Sequence, residues 1–147
     1  MRPLLSTIAL LAALSSAAIA GPKEEALVVV DQWAKAFSDS DVDGIVKLYA
    51  PDALFLGTGS KRVVTEPGAI RKYFEDALLT RRPRGASINE QAVMTLSDTA
   101  VIITGLDTTT GVLDGRPFSN PGRVTFVVAK RGSDWQIVHF HRSAMPN

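Results

Sequence analysis

A chain of 147 residues with 46% hydrophobic side chains is long enough to bury the core of one domain. Its 16 Lys and Arg against 15 Asp and Glu leave a formal net charge of +1, too close to balance for an electrostatic nucleic-acid binder. Without any cysteine a disulfide framework is excluded, so the fold must rest on its core alone.

The first twenty residues read as a leader rather than as part of that core. Met1-Arg2-Pro3 is a short positive segment, Leu4 to Leu14 an apolar run, and Ala18-Ile19-Ala20 a small-x-small cleavage site before Gly21. A membrane anchor needs about twenty apolar residues, whereas Ser6, Thr7, Ser15 and Ser16 interrupt this run. The expectation is a signal peptide over 1–20, a single domain over 21–147, and a periplasmic or secreted product. No cysteine follows the apolar run to take a lipid, so no membrane contact is expected after cleavage. Loss of Arg2 with the leader leaves basic and acidic residues equal in number.

Pro22 suits a first helical position, and Ala26, Leu27, Val30, Trp33, Ala34 and Phe37 follow at spacings of three and four, predicting an amphipathic helix. Ser38-Asp39-Ser40-Asp41 breaks it, and Asp41 can cap a short second helix carrying Val42, Ile45, Val46 and Tyr49 inward. Pro51 stops that helix, Ala53 to Leu56 predicts a short buried strand, and Arg62-Val63-Val64 an edge strand or arm. Thr65 is the expected cap of a third helix with Ile70, Tyr73, Phe74, Ala77 and Leu78 as its inward stripe. Arg81-Arg82-Pro83-Arg84, with its proline, reads as a solvated linker.

From Ser87 the helical period is gone. Residues 92–96, 100–107, 123–130 and 135–142 predict four long strands, with turns at Ser97-Asp98, Asp114-Gly115 and Gly132-Ser133-Asp134. Three helices followed by consecutive antiparallel strands predict an α+β architecture with helices on one face of a curved sheet. Strands such as Ala100-Val101-Ile102-Ile103 and Val124 to Val128 are apolar on both sides, so the opposite face also needs a cover, and a homodimer or higher homo-oligomer through the sheet supplies one.

The last strand, Trp135 to Pro146, holds both histidines of the chain. Strict alternation would put Trp135, Ile137, His139 and His141 on one face and Gln136, Val138, Phe140 and Arg142 on the other. Its WQIVHFHRSxxP run, after the Lys130 to Asp134 hairpin, resembles the association (hub) domain of calcium/calmodulin-dependent protein kinase II. That domain belongs to the cone-shaped, cystatin-like superfamily of nuclear transport factor two and SnoaL-like proteins. Looser matches at Val30 to Phe37, Leu48 to Ala53 and Ala69 to Glu75 spread the resemblance over most of the mature chain. With a leader and no kinase segment, the chain looks more like the free-standing bacterial relatives of SgcJ/EcaC type. The resemblance implies a cone with helices on a mainly antiparallel sheet, pairing sheet to sheet, and carries the pocket arginine of the HFHRS motif onto Arg142. The family's strand arginine and helix histidine fall near Leu106 and Ile70 here.

Arg142 shares its predicted face with Val138 and Phe140, and so could set a fixed charge at the end of an apolar pocket, where a small organic molecule with a carboxylate would suit it. Phe140, Tyr49, Tyr73 and Trp33 are further candidate pocket walls, and Arg123 a second candidate charge. His139, His141 and Asp107 are the candidate general bases. Asp107 interrupts an apolar strand, either where that strand emerges into water or as a pocket acid, and the first is favoured. The histidines name no third metal ligand, and no phosphate loop, dinucleotide glycine pattern or Ser/His/Asp nucleophile motif occurs, so neither metal nor cofactor is expected. Three functions remain: a small-molecule-binding domain, a cofactor-free isomerase- or cyclase-like enzyme of SnoaL type, and a hub-like oligomerisation module.

Overall fold

A computed structural model describes residues 20–146 of the chain. The expected signal peptide, apart from Ala20, lies outside the described residues. Among those described, no helix is long and apolar enough to cross a membrane.

The domain runs α1 (Pro22–Asp39), α2 (Val42–Lys47), β1 (Tyr49–Leu56), α3 (Pro67–Leu79), β2 (Gly85–Ser97), β3 (Ala100–Leu113), β4 (Arg116–Arg131) and β5 (Asp134–Ala144). Helix α1 opens on Pro22 and closes at Ser40, whose positive φ lets its N–H reach back to Ala36 and Phe37. Asp41 caps α2 by accepting the Gly44 N–H at 2.9 Å, as its position in the sequence predicts. Helix α3 starts one residue later than expected, with Glu66 rather than Thr65 at the cap.

The strands form one five-stranded sheet in the order β1-β5-β4-β3-β2, antiparallel except for the parallel β1–β5 pair. They outrun the predicted spans because polar stretches such as Thr108-Thr109-Thr110 and Ser119-Asn120 continue the β3–β4 ladder beyond the apolar core. Pro51 lies inside β1, an edge strand, where its missing N–H costs no ladder bond. Val64 is tied to β1 only by an isolated bridge to Phe55.

Helix α1 packs across the inner faces of β2 to β5, and α3 leans on α2 and β1. Between them lies an aromatic core. Trp33 meets Phe37, Phe126 and Phe140 at centroid distances of 5.3, 5.3 and 5.4 Å, and Phe55 stacks on Phe140 at 5.2 Å. The Trp33 indole donates to the Tyr49 hydroxyl at 3.0 Å, so neither buried polar atom is stranded.

The strict alternation expected along β5 fails at one place. Val128 pairs with Ile137 and Val127 with His139, so Val138 is an extra residue and both Ile137 and Phe140 point into the core. Such a bulge switches the inward parity of a strand. The pairing of Phe140 with Arg142 inside and His139 with His141 outside survives, because all four residues follow the bulge.

Candidate functional site

Toward the ends of β3, β4 and β5 the inner face changes from aromatic to polar. Arg142 follows Phe140 inward on β5, and Asp107 and Thr109 follow Ile103 inward on β3. Strand β4 runs between them and offers Gly122 at that level, since Gly122 pairs with Asp107 on one side and Ala144 on the other. A Cβ at residue 122 would lie 2.5 Å from Arg142 Nη2 and 2.8 Å from Asp107 Oδ1. The missing side chain is what lets the two charges meet over the central strand.

The result is an ion pair with both partners buried, Asp107 1% and Arg142 8% exposed. Arg142 donates from Nε to Asp107 Oδ2 at 2.7 Å, from Nη1 to Thr58 Oγ1 at 2.9 Å, and from Nη2 to the Asn120 carbonyl at 2.8 Å. Each guanidinium nitrogen thus has one protein acceptor, while Asp107 Oδ1 has no hydrogen-bond partner. The favoured sequence reading of Asp107, a strand emerging into water, is therefore corrected: pairing with Arg142 is what makes its burial tolerable.

Beside this pair opens a cavity of about 750 Å³, walled by Phe37, Tyr73, Arg84, Thr109, Phe118 and Arg142 among others. Burial pushes the Tyr73 phenol up from its ordinary pKa, so the wall carries a neutral hydroxyl. Tyr73 can approach because Gly57 has no side chain: a Cβ there would meet the phenol oxygen at 2.5 Å.

The other sequence candidates are distributed differently. Trp33, Tyr49 and Phe140 lie within the aromatic core and not on the cavity wall. Arg123 is exposed on the outer face, one residue from inward Val124, and its Nε donates to Ser143 Oγ at 3.2 Å. His139 and His141 are also on that outer face, remote in parity from Arg142. Burial and then the neighbouring His141 lower the His139 pKa.

The solvated-linker reading holds for Arg81, Arg82 and Pro83, which are exposed between α3 and β2, and is corrected at Arg84. Arg84 is half-buried, with its guanidinium carbon 4.8 Å from the Phe37 ring centroid and 5.2 Å from that of Phe118. Burial, then the charge of Arg81, lower its pKa. Sequence reasoning missed Arg84, Thr58, Asn120 and Gly122. Of these only Arg84 carried a signal, a cation next to a proline just before a strand, where chain direction is fixed.

The model of the calcium/calmodulin dependent protein kinase II association domain matches residues 22–146. The chain belongs to that family. A Xanthomonas campestris structure described as such a domain is 32% identical, with a TM-score of 0.78, over 84% of this chain and 88% of that one. A nuclear transport factor two-like protein with a cystatin-like fold from Novosphingobium aromaticivorans shares the fold at 12% identity and a TM-score of 0.71, covering 86% of this chain and 83% of the other. A ketosteroid isomerase-like protein from Erwinia carotovora does so at 16% and 0.71, covering 85% and 97%. No curated protein matches the sequence. These likenesses establish the helix-on-curved-sheet α+β architecture.

Proposed function

We propose that this association-domain protein is an exported small-molecule-binding domain whose cavity is closed at its polar end by Arg142. The observation that carries the reading is the cavity itself: about 750 Å³, with Phe37, Phe118 and Tyr73 beside the converging polar groups of Arg142, Thr58 and Asn120. Ligand sites have this size and this mixture of apolar wall and few oriented polar groups. Export rests on the leader pattern of residues 1–20, and intact mass of the exported protein should place its first residue at Gly21. The test of binding is Ala77→Trp, which plants an indole in the cavity from α3. It should abolish small-molecule retention while the fold melts as before; unchanged retention would refute the site.

Assembly as a homodimer accompanies this reading. Its support is a row across the outer sheet face, Met94, Ile102, Val127, His139 and Leu54, in register on five strands. Met94 is 62% and Leu54 46% exposed, and a second copy would cover them.

A second reading, a cofactor-free enzyme of SnoaL type, is favoured by Asp107, a buried carboxylate with one oxygen unpartnered. In that reading Asp107 abstracts a proton next to a carbonyl. Solvent deuterium should then enter the α-position of a cyclic ketone probe, and Asp107→Asn should stop it.

A further inference from the structure

Both histidines of the chain stand on the outer sheet face, where its apolar row gives way to polar residues. His139 is half-buried within that row, between Val127 on β4 and Leu54 on β1, and His141 is exposed two residues further along, between Thr125 and Leu56. A strand repeats its facing every two residues, so the two imidazoles are neighbours on one surface. The influence of His141 on the His139 pKa agrees with that placement.

Neither imidazole has a counter-charge. The flanking strands set only Val127, Thr125, Leu54 and Leu56 beside them, and among the described residues neither histidine forms an ion pair. Asp52, two residues before Leu54 on β1, is already held by Arg131 at 3.0 Å. Arg123, two residues from Thr125 on β4, brings a like charge to the same face. Glu90 faces that side only from β2, where it pairs with Leu106, three strands away from β5. An imidazolium at residue 139 therefore depends on water for its solvation.

A second copy laid on the apolar row removes that water. Because a two-fold interface uses the same patch twice, His139 of both protomers is buried together. Burial disfavours the charged form, so below the ordinary histidine value of about 6.5 the dimer binds fewer protons than two separate protomers do. We propose that His139, with His141 beside it, makes association through the outer face pH-sensitive, closed at neutral pH and released in acid. The inference rests on the homodimer proposed above. A group whose pKa is depressed in the associated state contributes affinity that is present above its ordinary value and lost below it. With one His139 from each protomer, Kd rises by at most about a hundredfold per pH unit.

Sedimentation velocity on a dilution series reads Kd at pH 7.5 and 5.0, with circular dichroism reporting whether the fold persists. For the wild type, Kd should rise by about tenfold or more between the two. His139→Leu, which keeps the row apolar, should dimerise with nearly the same Kd at both. A wild-type Kd that does not change overturns the proposal and leaves the dimer standing. A rise that survives in His139→Leu overturns the assignment to His139. A wild type monomeric at both pH values removes the dimer reading and the proposal together. If the fold is lost at pH 5.0, the same comparison at pH 6.0 must show a rise of about threefold in the wild type and none in the variant, and its absence overturns the proposal.

Discussion

Replacing Asp107 by Ala removes the carboxylate and leaves the Arg142 guanidinium, 8% exposed, with Thr58 Oγ1 and the Asn120 carbonyl as its remaining acceptors. Breaking one side of a buried pair costs about 3–5 kcal/mol, because the surviving charge keeps its desolvation penalty and loses its compensation. For a domain of this size that corresponds to a fall in Tm of about 10–20 °C. The double variant Asp107→Leu/Arg142→Met removes both charges and fills the space, so it should recover most of that loss. Thermal unfolding followed by circular dichroism on the wild type, Asp107→Leu, Arg142→Met and the double variant gives the coupling between the residues. Asp107→Ala melting within about 3 °C of wild type would refute the energetic reasoning, and so would a double variant no better than the singles. Ligand retention by Arg142→Ala, measured under conditions where it is folded, separates the two roles of that arginine: a pocket role loses about 1.5–3 kcal/mol of binding, a purely structural one loses only stability.

Three further outcomes are expected. Tyr49→Phe strands the buried Trp33 indole N–H and should cost about 1–3 kcal/mol in denaturant unfolding. His139 has a depressed pKa in the fold, so the unfolded chain binds more protons below its ordinary value near 6.5 and stability should fall as pH drops through that range. His139→Gln should flatten this slope in melts between pH 7.5 and 5.5. Ile102→Asp, second in the outer-face row and paired with Met94 and Val127, should convert a dimer into a monomer by light scattering. A wild type already monomeric at micromolar concentration removes that interface.

How far the sequence could be read depended on whether local periodicity or cross-strand geometry decided each feature. Helices α1 to α3 follow from three-and-four spacing around Trp33, Ile45 and Phe74, each of which is buried, but α2 ends at Lys47, so Tyr49 and Pro51, expected in and just after that helix, lie in β1 instead. The shared face of Phe140 and Arg142 follows from alternation. The bulge at Val138 does not, since nothing in a run of apolar residues marks which one is extra. Asp107 was visible as a polar interruption, but its partner is 35 positions away and meets it only because Gly122 on the intervening strand has no side chain. Arg84 looked like part of a solvated basic run for a similar reason. Phe37, Gly111 and Phe118, which hold it, come from α1, β3 and β4. Parity explains Arg123, which the alternation of β4 places outward once Val124 is inward.

Native mass spectrometry of the protein as it is purified, beside Ala77→Trp, measures the central claim directly. A cavity of about 750 Å³ beside Arg142 and Arg84 that serves as a ligand site should give a wild-type spectrum with a discrete added mass of a small organic molecule, displaced by benzoate and missing from the Trp variant. The same added mass on both proteins, or a bare wild type that also fails to take up benzoate, would contradict it.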